Sequence, residues 1–160
     1  MSKAALEKLC RSCTFKEIIC DINLRKNCYN KASAKFCLEN ATILKISDEE
    51  EPMLRALGMY SASKEAYESI AKAITTAFPN IKILIMTLGE KGSFVYESES
   101  QRGFSFCGEK VDVVSTVGAG DSYTAAWCTS FLLGEGIMTA TEKATKLSAY
   151  VVSCKEAIPT

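Results

Sequence analysis

The run Val113-Val114-Ser115-Thr116-Val117-Gly118-Ala119-Gly120-Asp121-Ser122-Tyr123 constrains this chain more than any other stretch. Two β-branched residues lead into two glycines flanking an alanine, an aspartate follows, and a helical pattern runs on to about Leu133. This is a strand or loop feeding a helix N-terminus. Such an end presents unpaired backbone N–H groups and the positive pole of the helix dipole, so it suits an anion. Glycine at 118 and 120 lets the backbone approach that anion closely. Asp121 is out of place in a plain phosphate cradle, because a carboxylate repels phosphate. One task that explains it is general-base work on an attacking hydroxyl.

Composition narrows the chemistry. The chain has 160 residues, the size of one domain with a sizeable core, and is 48% hydrophobic and 24% charged, which is globular and not disordered. Lys+Arg and Asp+Glu are both 19, so no basic surplus points to nucleic acid or an anionic membrane. No apolar run reaches the roughly 18 residues of a membrane span. Met1-Ser2-Lys3-Ala4-Ala5-Leu6 has no signal-peptide apolar block, which makes the cytoplasm the expected location. There is no histidine, so Ser-His-Asp and Cys-His catalysis and His-ligated metals are excluded. Of the eight cysteines only Cys10 and Cys13 have C-x-x-C spacing, and no second pair answers them. Reduced thiols packing as small apolar groups are expected, not zinc or a disulfide framework.

In chain order, spacing predicts a helix over Lys3 to Cys13 and a short buried strand within Phe15 to Asp21. The loop after it carries Asn23 and Arg25. A helix over Ser33 to Glu39 and a strand over Ala41 to Ile46 follow. Ser47-Asp48-Glu49-Glu50 reads as a capping box, although Pro52 makes Glu50 or Glu51 an alternative cap. Helices are predicted over Met53 to Gly58 and over Ser63 to Phe78, the latter capped by Ser63. Ile81 to Met86 reads as an internal parallel strand. Thr87-Leu88-Gly89-Glu90-Lys91-Gly92 turns the chain into a strand over Ser93 to Tyr96; by itself it is a glycine hairpin. Phe104 to Phe106 and Lys110 to Val114 are predicted strands. A helix over Gly118 to Leu133 and a last one from Thr139, with Glu142 as capping-box partner, complete the chain. This alternation implies a layered α/β fold with a mainly parallel sheet. Neither G-x-G-x-x-G nor G-x-x-x-x-G-K-[ST] is present.

Four pieces together resemble the ribokinase-like (PfkB) carbohydrate kinases. Thr116-Val117-Gly118-Ala119-Gly120-Asp121 is similar to their signature. Asp21-Ile22-Asn23-Leu24-Arg25 is similar to the D-x-N-x-R segment of fructokinase and 2-keto-3-deoxygluconate kinase members. Ser47-Asp48-Glu49-Glu50 stands where the family has N-x-x-E, and Thr87 to Gly92 resembles its T-L-G-x-x-G nucleotide loop. The resemblance implies ATP-dependent phosphorylation of a sugar primary hydroxyl. Asp121 would be the base and the amides of Gly118, Ala119 and Gly120 the anion hole. Arg25 would lie near the sugar or the transferred phosphoryl group, with Asn23 on the substrate. Thr87, Gly89 and Gly92 would line the nucleotide together with Gly118 and Gly120, and Glu50 would organise magnesium.

The resemblance covers only the second half of such kinases. It implies that residues 1–160 are the nucleotide-binding and catalytic part of a ribokinase-like α/β/α domain, without the lid and most sugar-binding groups. A chain of that kind would need a complementary half or a second copy of itself. Its alternative is a truncated, non-catalytic nucleotide-binding or interaction remnant. Three positions depart from the family pattern: Ser47 replaces the asparagine, Ser115 a common acidic residue, and Glu156 the glycine before Ala157.

Overall fold

Strands β1 (Ile19–Asp21), β2 (Ile43–Ser47), β3 (Ile83–Thr87), β4 (Ser93–Glu97) and β5 (Arg102–Phe106) form one sheet in the order β1-β2-β3-β4-β5. The computed structural model describes residues 2–25, 29–62 and 66–159. Strands β1, β2 and β3 pair in parallel, whereas β3–β4 and β4–β5 are antiparallel. The parallel part is thus confined to the first three strands. The reason is local: crossovers with helices join β1 to β2 and β2 to β3, whereas short turns join β3 to β4 and β4 to β5.

The helices are α1 (Ser2–Ser12), α2 (Lys31–Asn40), α3 (Glu51–Ala56), α4 (Tyr67–Ala77), α5 (Ala119–Leu132) and α6 (Gly136–Val152). Strand alternation sorts the core into two sides. Leu44, Ile46, Leu84, Met86, Phe94 and Tyr96 face a core built with Leu38 of α2, Leu54 of α3 and Ile74 of α4. Ile43, Ile83, Ile85 and Val95 point the other way, onto Tyr123 and Trp127 of α5 and Ala140 and Ala144 of α6. The period-2 side-chain pattern of the strands therefore produces a helix–sheet–helix sandwich. Each fully buried Leu or Ile in it contributes roughly 1.5–3 kcal/mol of transfer free energy.

Several boundaries differ from those read in the sequence. Helix α2 starts at Lys31, ahead of Ser33, and Asn30 caps it: its side chain accepts from the Ser33 amide, and Ser33 Oγ accepts from the Asn30 amide. Ala66 precedes α4, and the expected cap Ser63 lies outside the described residues. Glu50 is the cap position of α3, with Pro52 in its first turn, which is one of the two alternatives that Pro52 suggested. Helix α6 begins a turn earlier than Thr139. The strand predicted over Lys110 to Val114 does not form. Instead the Val114 and Ser115 amides donate to the Val152 carbonyl at the end of α6, at 2.8 and 3.1 Å. The segment's β-branched residues had suggested a strand, but it leaves the sheet, and Val113 stays exposed.

Candidate active site

The carboxyl ends of β1, β2 and β3 carry the loops in which most of the candidate residues lie. In open α/β sheets this edge is where ligands bind. Past Asp21 the chain is tied down quickly: the Ile22 amide donates to the Lys45 carbonyl, and Asn23 takes a left-handed φ of 43°. Asn23 Oδ1 accepts from Arg25 Nε at 3.3 Å. Both residues are exposed.

Glu50 joins this loop to the end of β2. Its Oε1 accepts from the Leu24 amide at 2.6 Å, and its Oε2 accepts from the Ser47 amide at 2.8 Å. Ser47 Oγ in turn accepts from the Glu50 amide at 3.2 Å. The reciprocal Ser47–Glu50 bond expected of a capping box is present, one residue ahead of the helix it introduces. Glu50 is therefore a brace between two loops at the ligand edge. Among the described residues no group of three or more acidic or thiol side chains could by itself hold a metal ion. Magnesium is usually held through one or two carboxylates, waters and substrate phosphates. A single carboxylate with both oxygens already accepting N–H bonds fits such an ion through an intervening water.

The turn after β3 is a tight hairpin connection, as its glycines suggest. Gly89 (φ 58°) and Gly92 (φ 101°) both take left-handed backbone. At Gly92 a Cβ would stand 2.0 Å from the Phe106 carbonyl oxygen, so only glycine lets β4 start against the end of β5. Ser93, which follows it, is fully buried and accepts a 2.9 Å hydrogen bond from the Tyr123 hydroxyl. That bond fixes α5 relative to the turn. Burial pushes the Tyr123 phenol up to about 12, the bonds to Ser93 and Thr141 only partly opposing it.

The N-terminus of α5 carries the candidate residues Gly118, Ala119, Gly120 and Asp121. Gly118 is left-handed (φ 85°) and packs on the C-terminal segment, where a Cβ would come within 2.9 Å of the Ala157 Cβ. The Ala119 carbonyl accepts from Ser148 of α6 at 3.1 Å, and the Ser122 amide closes the first turn on the Gly118 carbonyl at 2.9 Å. The Ala119 amide makes a long 3.3 Å bond to the Thr116 carbonyl. Gly120 and Asp121 are exposed, with Asp121 in the first turn. The exposed turn thus offers N–H donors, a helix dipole and a carboxylate side by side.

Two contributors were not read from the sequence. Lys45 is 5% exposed, and its Nζ lies 2.8 Å from Asp21 Oδ2. Thr124, one turn into α5, donates to the same Asp21 oxygen at 2.7 Å. The signal for Lys45 was a lone lysine inside the apolar run Ile43-Leu44-Lys45-Ile46. Thr124 had no signal, because threonine inside a helix is unremarkable.

A helix-flanked mixed sheet of this kind is the ribokinase-like α/β fold, and the comparisons agree. The chain belongs to the pfkB family of carbohydrate kinases, whose family model matches residues 1–160. Fructokinase-2 of Solanum lycopersicum is 32% identical over 108 residues, covering 68% of this chain and 30% of that protein. The 5-dehydro-2-deoxygluconokinase of Halalkalibacterium halodurans is 35% identical over 74 residues, covering 45% of this chain and 22% of that protein. Among solved structures, ribokinase from Thermotoga maritima superposes with a TM-score of 0.75 at 21% identity, over 98% of this chain and 50% of that one. Arabidopsis thaliana ribokinase, solved with ribose and ATP, gives 0.70 at 22% identity, over 89% of this chain and 44% of that one. The structural likeness carries the fold. The chain spans half or less of the length of each of these proteins.

Proposed function

We propose that this chain is the nucleotide-binding and catalytic part of an ATP-dependent kinase, fructokinase-like, that phosphorylates a primary hydroxyl of a sugar. The observation that carries the reading is the exposed first turn of α5. Gly118-Ala119-Gly120-Asp121 stands there on the sheet edge that also holds Arg25, Glu50 and the Thr87–Gly92 turn. Asp121 accepts the proton of the attacking hydroxyl. The amides of Gly118, Ala119 and Gly120 take up charge on the transferred γ-phosphoryl group. Phosphoryl transfer runs mostly on such positioning and electrostatics, so no covalent intermediate is called for. Asn23 and Arg25 face the sugar and the transferred group, where a planar guanidinium suits phosphate. Thr87, Gly89 and Gly92 line the nucleotide. Glu50 would hold magnesium through water, and the ion would offset phosphate charge.

A partner belongs to the same reading, either a complementary half or a second copy of the chain. Val113, Val117, Leu132, Leu133 and Ile158 are all more than half exposed, which supports a covering surface. The cytoplasm is the proposed location, and no described helix is long and apolar enough to cross a membrane.

The second reading is a non-catalytic remnant with the same fold, favoured by Ser47 and Glu156 standing where the family pattern has asparagine and glycine. An assay of ADP release across a panel of ketoses and aldoses addresses both. The purified chain is expected to bind ATP–magnesium weakly and to release little or no sugar-dependent ADP by itself. Brisk sugar-dependent ADP release by the monomer contradicts that division of labour. In a protein restored with a sugar-binding half, Asp121→Asn is expected to lower turnover roughly 10²–10⁴-fold with nucleotide affinity kept. No turnover by any restored protein leaves the remnant reading.

A further inference from the structure

We infer that Lys45, Asp21 and Thr124 form a positioning clamp that seats the first turn of α5 on the sheet. The inference rests on the reading of Gly118-Ala119-Gly120 as an anion cradle. Lys45 and Asp21 are register partners on the neighbouring parallel strands β2 and β1. Their side chains point to the α5 face, and the Lys45 Nζ to Asp21 Oδ2 distance is 2.8 Å. Lysine and aspartate side chains here are only 7% and 22% exposed. An ion pair so far from water is expensive to desolvate and is weak evidence for stability by itself. Its geometry, however, is directed at one place.

Thr124 Oγ1 lies 2.7 Å from the same Asp21 oxygen and 2.9 Å from the Gly120 carbonyl. A hydroxyl has one proton, and the charged acceptor takes the stronger bond. Asp21 thereby holds α5 one turn below Asp121. On the other side, an added Cβ at Gly120 would meet Lys45 Nζ at 3.6 Å. The ammonium therefore stands beside Gly120, on the side a side chain would take, and adds a buried positive charge next to the backbone that presents the amides. Helix α5 is thus fixed near its start by Asp21 through Thr124 and, one residue earlier, by the Tyr123–Ser93 bond. None of Lys45, Asp21 or Thr124 touches a reacting atom in this scheme.

Residue-resolved amide exchange on the ¹⁵N-labelled chain, without ligand, tests the clamp. Thr124→Val keeps the shape and leaves no charge unpaired, so it folds where Asp21→Asn or Lys45→Met fails. It is expected to speed exchange at Ser122 and Tyr123 about tenfold, the scale of a lost hydrogen bond to a charged group. Trp127 and Cys128, further along α5, keep the parent rates. Thr124→Ser restores the parent pattern. Titration with ATP–magnesium is expected to show weaker binding in Thr124→Val and recovery in Thr124→Ser. Unchanged first-turn exchange, or equal acceleration along the whole helix, overturns the clamp. A parent chain that binds no ATP–magnesium removes the cradle reading instead, and the exchange ratio still decides the clamp.

Discussion

The Tyr123 hydroxyl donates a 2.9 Å hydrogen bond to Ser93 Oγ, and both residues are buried. One belongs to the first turn of α5, the other directly follows the Thr87–Gly92 turn. This one bond links the helix end proposed to take the anion to the turn proposed to line the nucleotide. Removing it with Tyr123→Phe leaves the Ser93 hydroxyl short of a partner. The expected loss is about 1–2 kcal/mol in urea unfolding.

The same phenol gives a pH signature. Its folded pKa is raised by burial from 10.0 to about 12. A raised folded pKa means that its contribution is complete below pH 10 and is lost as pH climbs towards about 12. Stability measured from pH 9 to 12 should therefore fall more steeply in the parent than in Tyr123→Phe. Parallel curves for the two proteins would show that Tyr123 titrates like an exposed tyrosine.

Glu50 makes a sharper case. Its two oxygens each accept a backbone N–H, from Leu24 and from Ser47. Glu50→Gln replaces one acceptor with an NH₂ group that faces a donor. A stability loss of about 1–3 kcal/mol is expected, with faster exchange at the Leu24 and Ser47 amides. Exchange at those two amides equal to the parent's would remove the brace from the account.

Gly118 and Gly120 should respond in opposite ways to alanine. Gly118 has φ 85°, and its new Cβ would stand 2.9 Å from that of Ala157. Strain and overlap together should lower stability by about 1–3 kcal/mol. Gly120 lies inside helical backbone with only Lys45 Nζ near, at 3.6 Å. Gly120→Ala should stay within about 1 kcal/mol of the parent, because alanine favours helix. Thermal unfolding of the two variants reads this directly, and equal losses would contradict the geometry.

Much of the layered fold was legible because its period is strong. The apolar run over Ile81 to Met86 and the three- and four-residue spacing of Ala66, Ile70, Ala73, Ile74 and Ala77 both mark elements that form. The sheet's antiparallel end was legible in part: a glycine hairpin over Thr87 to Gly92 implies an antiparallel β3–β4 pair, because parallel neighbours need a longer crossover. Lys110 to Val114 misled for a physical reason: β-branched side chains raise strand propensity, yet here α6 supplies the hydrogen-bond acceptor. At the site, the glycines and Asp121 stood out by local chemistry. Lys45 and Thr124 act through contacts 24 and 103 residues from Asp21 in sequence, which local pattern does not carry.

Calorimetric titration of the folded chain with ATP–magnesium, run beside Gly120→Val and Asp121→Asn, tests the central claim most directly. A branched side chain at 120 stands where phosphate must approach the backbone, whereas asparagine at 121 only removes a proton acceptor. The account predicts weak binding by the parent, similar binding by Asp121→Asn, and no detectable binding heat for folded Gly120→Val. Parent-like binding by folded Gly120→Val would contradict it and leave Gly118-Ala119-Gly120 as no more than a tight entry into α5.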